Sequence, residues 1–201
     1  KFPKRKTFFA KKIENLRYGE NPHQESSIYI SDLFLDYLKL NKINGKDLSY
    51  NNYNDIFAGL DILYSEKKIP TTVIIKHANP CGVASNLSPI QSFKNSYASD
   101  PVSAFGGIVA CNFKIDLKLA LEINKTFFEV VLAKGFDKEA IKELKKKKNM
   151  RVIDISNIKL NNNLTTKIFD NSMLLQDKDK IIFNKKKLRF VTKIKPTKKE
   201  I

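Results

Sequence analysis

A buried strand that runs directly into two chemically active side chains constrains this chain more than any other feature. Residues 71–84 read TTVIIKHANPCGVA, and the β-branched residues at 72–75 predict a buried strand. Lys76 and His77 follow at once, and the Asn, Pro and Gly of residues 78–82 predict a turn. In open α/β folds ligands bind beyond the carboxyl ends of strands. We therefore expect Lys76 to stabilise developing negative charge and His77 to move a proton.

Two further segments concentrate scarce residues in the same way. Residues 16–24 read LRYGENPHQ, and residues 100–108 read DPVSAFGGI. Both histidines of the chain and four of its seven glycines lie within these two segments and 71–84. Such clustering indicates a functional site rather than a plain scaffold.

Strand and helix patterns alternate along the chain, which predicts an α/β sandwich. The predicted strands are 27–30, 71–75, 107–111, 127–133 and 151–155, and the predicted helices are 55–66, 89–98, 117–123 and 138–147. A polar loop is predicted over 157–167, and short strands at 173–176, 181–183 and 188–192 predict an antiparallel extension.

Six ordered segments resemble the AICAR transformylase domain of the AICAR transformylase/IMP cyclohydrolase family. They extend from residue 16 to about residue 179 and read LRYGENPHQ, KDLSYNNYND, IIKHANPCGVA, DPVSAFGGIVA, FFEVVLA and MLLQDKD. The resemblance implies a cytidine-deaminase-like three-layer α/β/α domain with a C-terminal antiparallel extension. It divides the chain into an N-terminal segment (1–26), an α/β subdomain (27–156) and a β-rich extension (157–201).

The end of the sequence carries a helix-start signal, the Thr-x-x-Glu capping box of Thr197 and Glu200. Together with the resemblance, this signal predicts that the chain is the first half of the transformylase domain. The second half of that domain and an IMP cyclohydrolase domain are then expected outside these 201 residues. The isolated chain is expected to be inactive.

The activity implied by the resemblance is transfer of a formyl group from 10-formyltetrahydrofolate to the 5-amino group of AICAR, in purine (IMP) biosynthesis. Its proton acceptor matches His77, and its transition-state stabiliser matches Lys76. The positions that match nucleotide-contacting residues are Arg17, Tyr18, Phe105, Gly106 and Glu129. Glu129 stands where the family commonly has Asp, so the acid is kept on a side chain one methylene longer.

The same resemblance implies the surroundings of the reaction. Folate is the consumed cosubstrate, its binding residues are expected in the second half of the domain, and no metal is required. A cytoplasmic homodimer is expected, with no membrane or nucleic-acid partner.

Alternative interpretations remain for the most informative residues. His77 could be a core histidine, Glu129 a solvent-facing acid at a strand end, and His23 a structural support of its turn. A zinc deaminase, whose signature is H-x-E with P-C-x-x-C, is disfavoured because Ala84 replaces the cysteine that would pair with Cys81. A non-catalytic nucleotide-binding fragment is the third class.

Composition narrows the remaining choices. The net charge of +16 comes mainly from lysine, as in 145–148 and 184–189, and could attract polyanions. We interpret the lysines as the composition of an A/T-rich genome and as a solvated helix end, because no arginine-rich patch interleaved with aromatics accompanies them. The two cysteines are too few for a disulfide framework.

Overall fold

A computed structural model of the chain describes residues 2–31, 40–65, 69–158, 164–179 and 188–197. The chain divides into two compact units, Lys1–Leu160 and Asn161–Ile201. The first unit is an α/β structure, as the alternating pattern predicts. None of the described helices is both long and apolar enough to cross a bilayer.

The described residues of the first unit form strands and helices in alternation. In chain order they are β1 (Ala10–Leu16), β2 (Ser26–Ser31), β3 (Asn41–Asn44), α1 (Tyr50–Leu63), β4 (Thr71–Lys76), β5 (Asn79–Ser85), α2 (Pro89–Ser99), α3 (Pro101–Ala104), β6 (Ile108–Cys111), α4 (Leu117–Asn124), β7 (Val130–Ala133), α5 (Lys138–Leu144) and β8 (Arg151–Asp154). β1 and β2 form an antiparallel pair of their own. The other six strands form one mixed sheet in the order β3-β8-β7-β6-β4-β5.

The direction of the strands decides which loops meet. β6, β7 and β8 are parallel to one another, whereas β4 is antiparallel to β6. Ile75, near the end of β4, pairs with Ile108 at the start of β6. The carboxyl end of β4 therefore lies beside the amino ends of β6, β7 and β8. Residues that follow β4 in sequence and residues that precede β6, β7 and β8 therefore lie at the same end of the sheet.

Helices cover both faces of the mixed sheet. The side chains of each strand alternate between the faces, as a pleated strand requires. Ile56, Leu60 and Leu63 of α1 pack on one face, and α2, α4 and α5 pack on the other. Each fully buried Ile or Leu stabilises the fold by about 1.5–3 kcal/mol relative to an exposed one, so this core holds the strand ends in register.

The turn after β4 is shorter than the sequence predicts. A turn was expected over 78–82, but His77 and Ala78 alone form it, and Asn79 begins β5. β5 is an edge strand, where proline is tolerated, and the register shift opposite Ile74 and Ile75 accommodates Pro80 and Cys81. Gly82 allows α2 to approach, since a Cβ there would lie 1.9 Å from the carbonyl oxygen of Ser96.

Four other boundaries differ from the prediction by at least three residues, and one of them is the end of α1, at Leu63 rather than at residue 66. α1 begins at Tyr50 rather than at residue 55, because Ser49 and Asn52 form a capping box ahead of the apolar periodicity. β7 begins at Val130 rather than at residue 127, and α5 ends at Leu144 rather than at residue 147.

The second unit contains one hairpin among its described residues, β9 (Leu164–Phe169) paired with β10 (Ser172–Asp177). The strand predicted at 173–176 is confirmed, but the loop predicted over 157–167 is wrong from residue 164 onwards. The strand predicted at 188–192 is also wrong, since 188–197 has no regular secondary structure. The strand predicted at 181–183 and all of the predicted Thr-x-x-Glu helix start except Thr197 lie outside the described residues.

Candidate functional site

Lys76 and His77 occupy the hairpin between β4 and β5. Lys76 is the last residue of β4, and its Nζ donates a hydrogen bond to the carbonyl oxygen of Phe105 at 2.8 Å. His77 is exposed, so the interpretation of a core histidine is wrong. Both turn residues are left-handed, with φ of 54° at His77 and 57° at Ala78. Two positive φ values are what a two-residue hairpin turn of type I′ needs.

Asp55 of α1 anchors this turn. Its Oδ1 accepts a hydrogen bond from the amide N–H of Ala78 at 2.7 Å. Burial raises the pKa of Asp55, and the amide of Ala78 and the nearby His77 partly oppose that increase. The carboxyl group is thus held against a backbone donor in a half-buried position.

The loop before β6 carries Phe105 and Gly106. Gly106 has a φ of 77°, and its amide donates to the carbonyl oxygen of Phe127 at 2.9 Å. The Phe105 ring is 57% exposed and its centroid lies 5.4 Å from that of Phe127. Phe105 therefore presents an exposed aromatic surface at the same end of the mixed sheet as Lys76.

Glu129 precedes β7, and its side chain is 43% exposed and also hydrogen-bonded to the protein. Its Oε2 accepts a hydrogen bond from Nδ2 of Asn52 at 3.0 Å and lies 3.4 Å from Nη1 of Arg151. The Arg151 side chain is only 9% exposed, and one of its guanidinium N–H groups donates to the carbonyl oxygen of Asp47. A buried arginine thus fixes the carboxylate.

Arg17 and Tyr18 lie beside Glu129 at one pocket. The Arg17 guanidinium donates to the Tyr18 hydroxyl at 3.2 Å and lies 5.1 Å from the centre of its ring. The pocket encloses ≈ 290 Å³ and is lined by Arg17, Tyr18, Lys46, Ser49, Phe127, Glu129, Asn149 and Arg151. Ligand pockets typically hold roughly 300–1,000 Å³, so this one suits part of a nucleotide-sized molecule.

The charge of this pocket favours an anion. Arg17, Lys46 and Arg151 contribute three cations, and Glu129 is the one carboxylate in the described lining. Guanidinium groups bind phosphate and carboxylate oxygens in a fork geometry. The Nε of Arg151 is buried without a hydrogen-bond partner among the described residues, so its donors are not saturated by the protein.

Neither cysteine has the surroundings of a nucleophile. Burial, followed by the charge of Asp100, raises the pKa of Cys81, and Cys111 is fully buried with its pKa raised to about 12. A raised pKa keeps the thiol protonated, and the thiolate is the reactive form. Within the described ranges no group of three His, Cys, Asp or Glu residues is placed to hold a metal ion.

All seven residues predicted for the site lie at one end of the mixed sheet, where β4 ends and β6, β7 and β8 begin. The hydrogen bond from Lys76 to Phe105 and the ring contact from Phe105 to Phe127 connect the hairpin turn with the pocket of Arg17, Tyr18 and Glu129. His23 is exposed in its turn, whose hydrogen bonds are made by Asn21 and Gln24.

The structure places four further residues at this end of the sheet to which sequence reasoning assigned no role. Lys46, Asn52 and Asp55 all belong to the segment KDLSYNNYND, which carries the resemblance but suggested no chemistry. Arg151 opens a strand, where a charged residue is easily interpreted as solvated. A polar segment with Ser, Asn and Asp three residues apart was the available signal, because such spacing places these side chains together on one helix face.

Comparison with known proteins gives one consistent result. The sequence profile of the AICARFT/IMPCHase bienzyme family matches residues 1–201. The bifunctional purine biosynthesis protein PurH of Thermoanaerobacter sp. (strain X514) is 40% identical over 201 residues, which are 100% of this chain and 39% of that protein. PurH of Buchnera aphidicola subsp. Schizaphis graminum (strain Sg) is 44% identical over 198 residues, 96% of this chain and 37% of that protein.

A third relative agrees with these two. PurH of Aquifex aeolicus (strain VF5) is 40% identical over 201 residues, 100% of this chain and 39% of that protein. The chain therefore spans about two fifths of the length of the curated relatives it matches.

Fold and site together define an α/β protein with a cationic ligand pocket at one edge of a mixed sheet. The match over the whole chain then assigns the family: the chain belongs to the AICARFT/IMPCHase bienzyme family.

Proposed function

We propose that this chain supplies the nucleotide pocket and the proton-transfer residues of an AICAR transformylase. The reaction moves a formyl group from 10-formyltetrahydrofolate to the 5-amino group of AICAR. One observation carries the proposal. Lys76 and His77 lie at the same end of the mixed sheet as a pocket of three cationic side chains, in a chain that belongs to this family. The first feature suits acyl transfer, and the second suits a phosphorylated acceptor.

His77 is the proposed general base. The AICAR amine is a weak nucleophile because its lone pair delocalises into the imidazole ring. Attack on the formyl carbon makes a new C–N bond and gives a tetrahedral intermediate with a cationic amine. An exposed imidazole at the tip of a fixed turn can accept the proton of that amine, and such catalysis typically contributes ~10²–10⁴-fold. Collapse then breaks the bond between the formyl carbon and N10 of the folate, and protonated His77 can return its proton to N10 as tetrahydrofolate leaves.

Lys76 is the proposed stabiliser of the oxyanion. Its ammonium group has three N–H donors, and the described structure uses one of them on the carbonyl oxygen of Phe105. The remaining donors can reach the oxygen of the tetrahedral intermediate without breaking that bond. Removal of one oxyanion donor typically costs ~10²–10³-fold in turnover.

The pocket is the proposed seat of the AICAR nucleotide. Arg17, Lys46 and Arg151 suit its 5′-phosphate, and Glu129 suits hydroxyl or amine donors of the ligand. Phe105 offers an aromatic face for the imidazole ring, and Gly106 leaves room for the ligand beside its backbone. These assignments extend the resemblance at Arg17, Tyr18, Phe105, Gly106 and Glu129 to two further residues.

Other parts of the proposal lie at the level of the whole protein. We propose a cytidine-deaminase-like fold for the α/β subdomain 27–156, with 1–26 contributing pocket residues and 157–201 forming the β-rich extension. Folate contacts are assigned to residues outside this chain, in a cytoplasmic homodimer that uses no metal and carries an IMP cyclohydrolase domain.

Two alanine variants of the protein at its natural full length test this function. His77→Ala and Lys76→Ala should each lower kcat for formyl transfer by at least ~10²-fold, with KM for AICAR changed by less than about threefold. Lys118→Ala, an exposed lysine of α4 away from the pocket lining, is the matched control and should leave both constants unchanged. Near-normal turnover of the folded His77 or Lys76 variant would contradict the assignment.

A further inference from the structure

The turn that carries His77 adopts a conformation its own residues do not favour. Left-handed φ is uncommon for residues other than glycine, and His77 and Ala78 are both in that region. Glycine or asparagine usually fills such turns. A non-glycine pair persists there only where the surroundings hold it. Something outside the turn must therefore fix it.

The carboxylate of Asp55 is the group placed to do this. It accepts a hydrogen bond from the amide N–H of Ala78 at 2.7 Å. A hydrogen bond to an ionised acceptor is about twice as strong as one between neutral groups. Burial raises the pKa of Asp55 above its usual value, and the amide of Ala78 partly opposes that increase.

The anchor itself is well fixed. Asp55 lies in the second turn of α1, whose start is closed by the Ser49–Asn52 capping box and whose Ile56 is fully buried. Asn52, one helical turn earlier, holds Glu129 of the pocket at 3.0 Å. One turn of α1 thus contacts both the hairpin that carries His77 and the pocket that contains Glu129.

We propose that Asp55 is the positioning residue of formyl transfer: it holds the His77–Ala78 turn so that the imidazole and the Lys76 ammonium face the substrate. This inference rests on the proposed function. Asp55 touches neither substrate nor reacting atoms in this role, and acts through the backbone of the turn. A loss of position near 1 Å in a reacting group can cost ~10²-fold in rate.

Substitutions at both ends of the hydrogen bond test the role, in the protein at its natural full length. Asp55→Ala removes the acceptor, whereas Asp55→Asn retains an oxygen that can accept the Ala78 amide. We expect Asp55→Ala to lower kcat by about 10–100-fold with KM for AICAR within about threefold, and Asp55→Asn to recover most of that loss. Asp61→Ala is the control, since Asp61 is exposed and near the other end of α1.

Ala78→Gly covers the case in which Asp55→Ala does not fold, because glycine adopts positive φ without a steric penalty. In that background, Asp55→Ala should still lower kcat relative to Ala78→Gly alone if the carboxylate positions the turn. Equal kcat in the two glycine variants, or a folded Asp55→Ala enzyme within about threefold of wild-type kcat, would overturn the inference. So would Asp55→Asn being as slow as Asp55→Ala.

His77→Ala separates this outcome from failure of the proposed function. If His77→Ala abolishes turnover while Asp55→Ala does not, only the positioning role is wrong. If His77→Ala is as active as wild type, the proposed function itself is wrong.

Discussion

The two ends of the candidate site are built in different ways. At the hairpin end, Lys76 and His77 are fixed by backbone: a strand buried up to Ile75, a two-residue turn, and the Ala78 amide on the Asp55 carboxylate. At the pocket end, Arg17 is exposed and held by contacts between side chains. A backbone-fixed end suits chemistry, which is sensitive to position. A pocket built from side chains suits binding of a charged group, so the two ends should fail differently when altered.

The largest expected effect is that residues 1–201 alone bind AICAR but do not transfer the formyl group. Residues 1–201 alone contain both ends but, by our proposal, no folate contacts. We expect no formyl transfer by this chain in a steady-state assay with AICAR and 10-formyltetrahydrofolate, while calorimetry detects weak AICAR binding. Exposed apolar surface should also make the isolated chain prone to associate. The full-length protein is the control, and robust turnover by residues 1–201 would contradict our division of the site.

The next effect tests whether the pocket end governs binding. Arg17→Ala removes a charged hydrogen-bond donor, a loss typically worth about 1.5–3 kcal/mol, so KM for AICAR should rise by roughly tenfold to a hundredfold. Turnover at saturating AICAR should change little, because the proton-transfer residues are untouched. Arg5→Ala, exposed and outside the pocket lining, controls for loss of positive charge. A fall in kcat at unchanged KM would show that Arg17 contributes to turnover rather than to AICAR binding.

A smaller effect concerns the scaffold of the hairpin end. A Cβ at Gly82 would lie 1.9 Å from the carbonyl oxygen of Ser96, so Gly82→Ala must displace α2 from β5. Overpacking of this kind costs about 1–3 kcal/mol of unfolding free energy. Denaturant unfolding measures it, with Val83→Ala as the control because Val83 is exposed in the same strand. Equal stability of the two variants would show that α2 does not constrain the hairpin.

The smallest effect is expected at Cys81, close in sequence to the His77–Ala78 turn. Its pKa is raised, mainly by burial, so the thiol stays protonated at neutral pH and its alkylation rate should keep rising with pH beyond the ordinary thiol range. Cys81→Ser should retain full turnover, and metal analysis of the full-length protein should find no stoichiometric zinc. A folded but inactive Cys81→Ser enzyme, or a bound zinc ion, would assign this cysteine a role.

Sequence patterns predicted elements well where local signals and packing agree. β4, β6 and β8 are apolar runs buried by the core, and each was located within one residue of its position. The patterns failed where tertiary contacts decide. Asn79 and Pro80 predict a turn, but pairing with β4 makes them part of an edge strand. Ser49 caps α1 ahead of any apolar periodicity, so the start of that helix was missed.

The candidate site shows the same division. Lys76 and His77 could be identified because they end a buried strand. The contacts of Asp55 and Arg151 are with partners far away in sequence, the amide of Ala78 and the carboxylate of Glu129. The spacing of Ser49, Asn52 and Asp55 could have drawn attention to Asp55, but no local pattern encodes its distant partner.

The strand order has one consequence for how this pocket can attract an anion. α4 and α5 run back from the carboxyl ends of β6 and β7, so both helices end at the edge where the pocket lies. The carboxyl end of a helix carries partial negative charge and repels anions. In doubly wound nucleotide-binding folds the opposite helix ends cradle the phosphate with backbone amides. Here α4 and α5 turn those ends away, whereas α1 begins at the pocket, whose lining includes its N-cap residue Ser49. The side chains of Arg17, Lys46 and Arg151 add positive charge there. Affinity of this pocket for an anion should therefore depend strongly on ionic strength and tolerate little loss of positive charge.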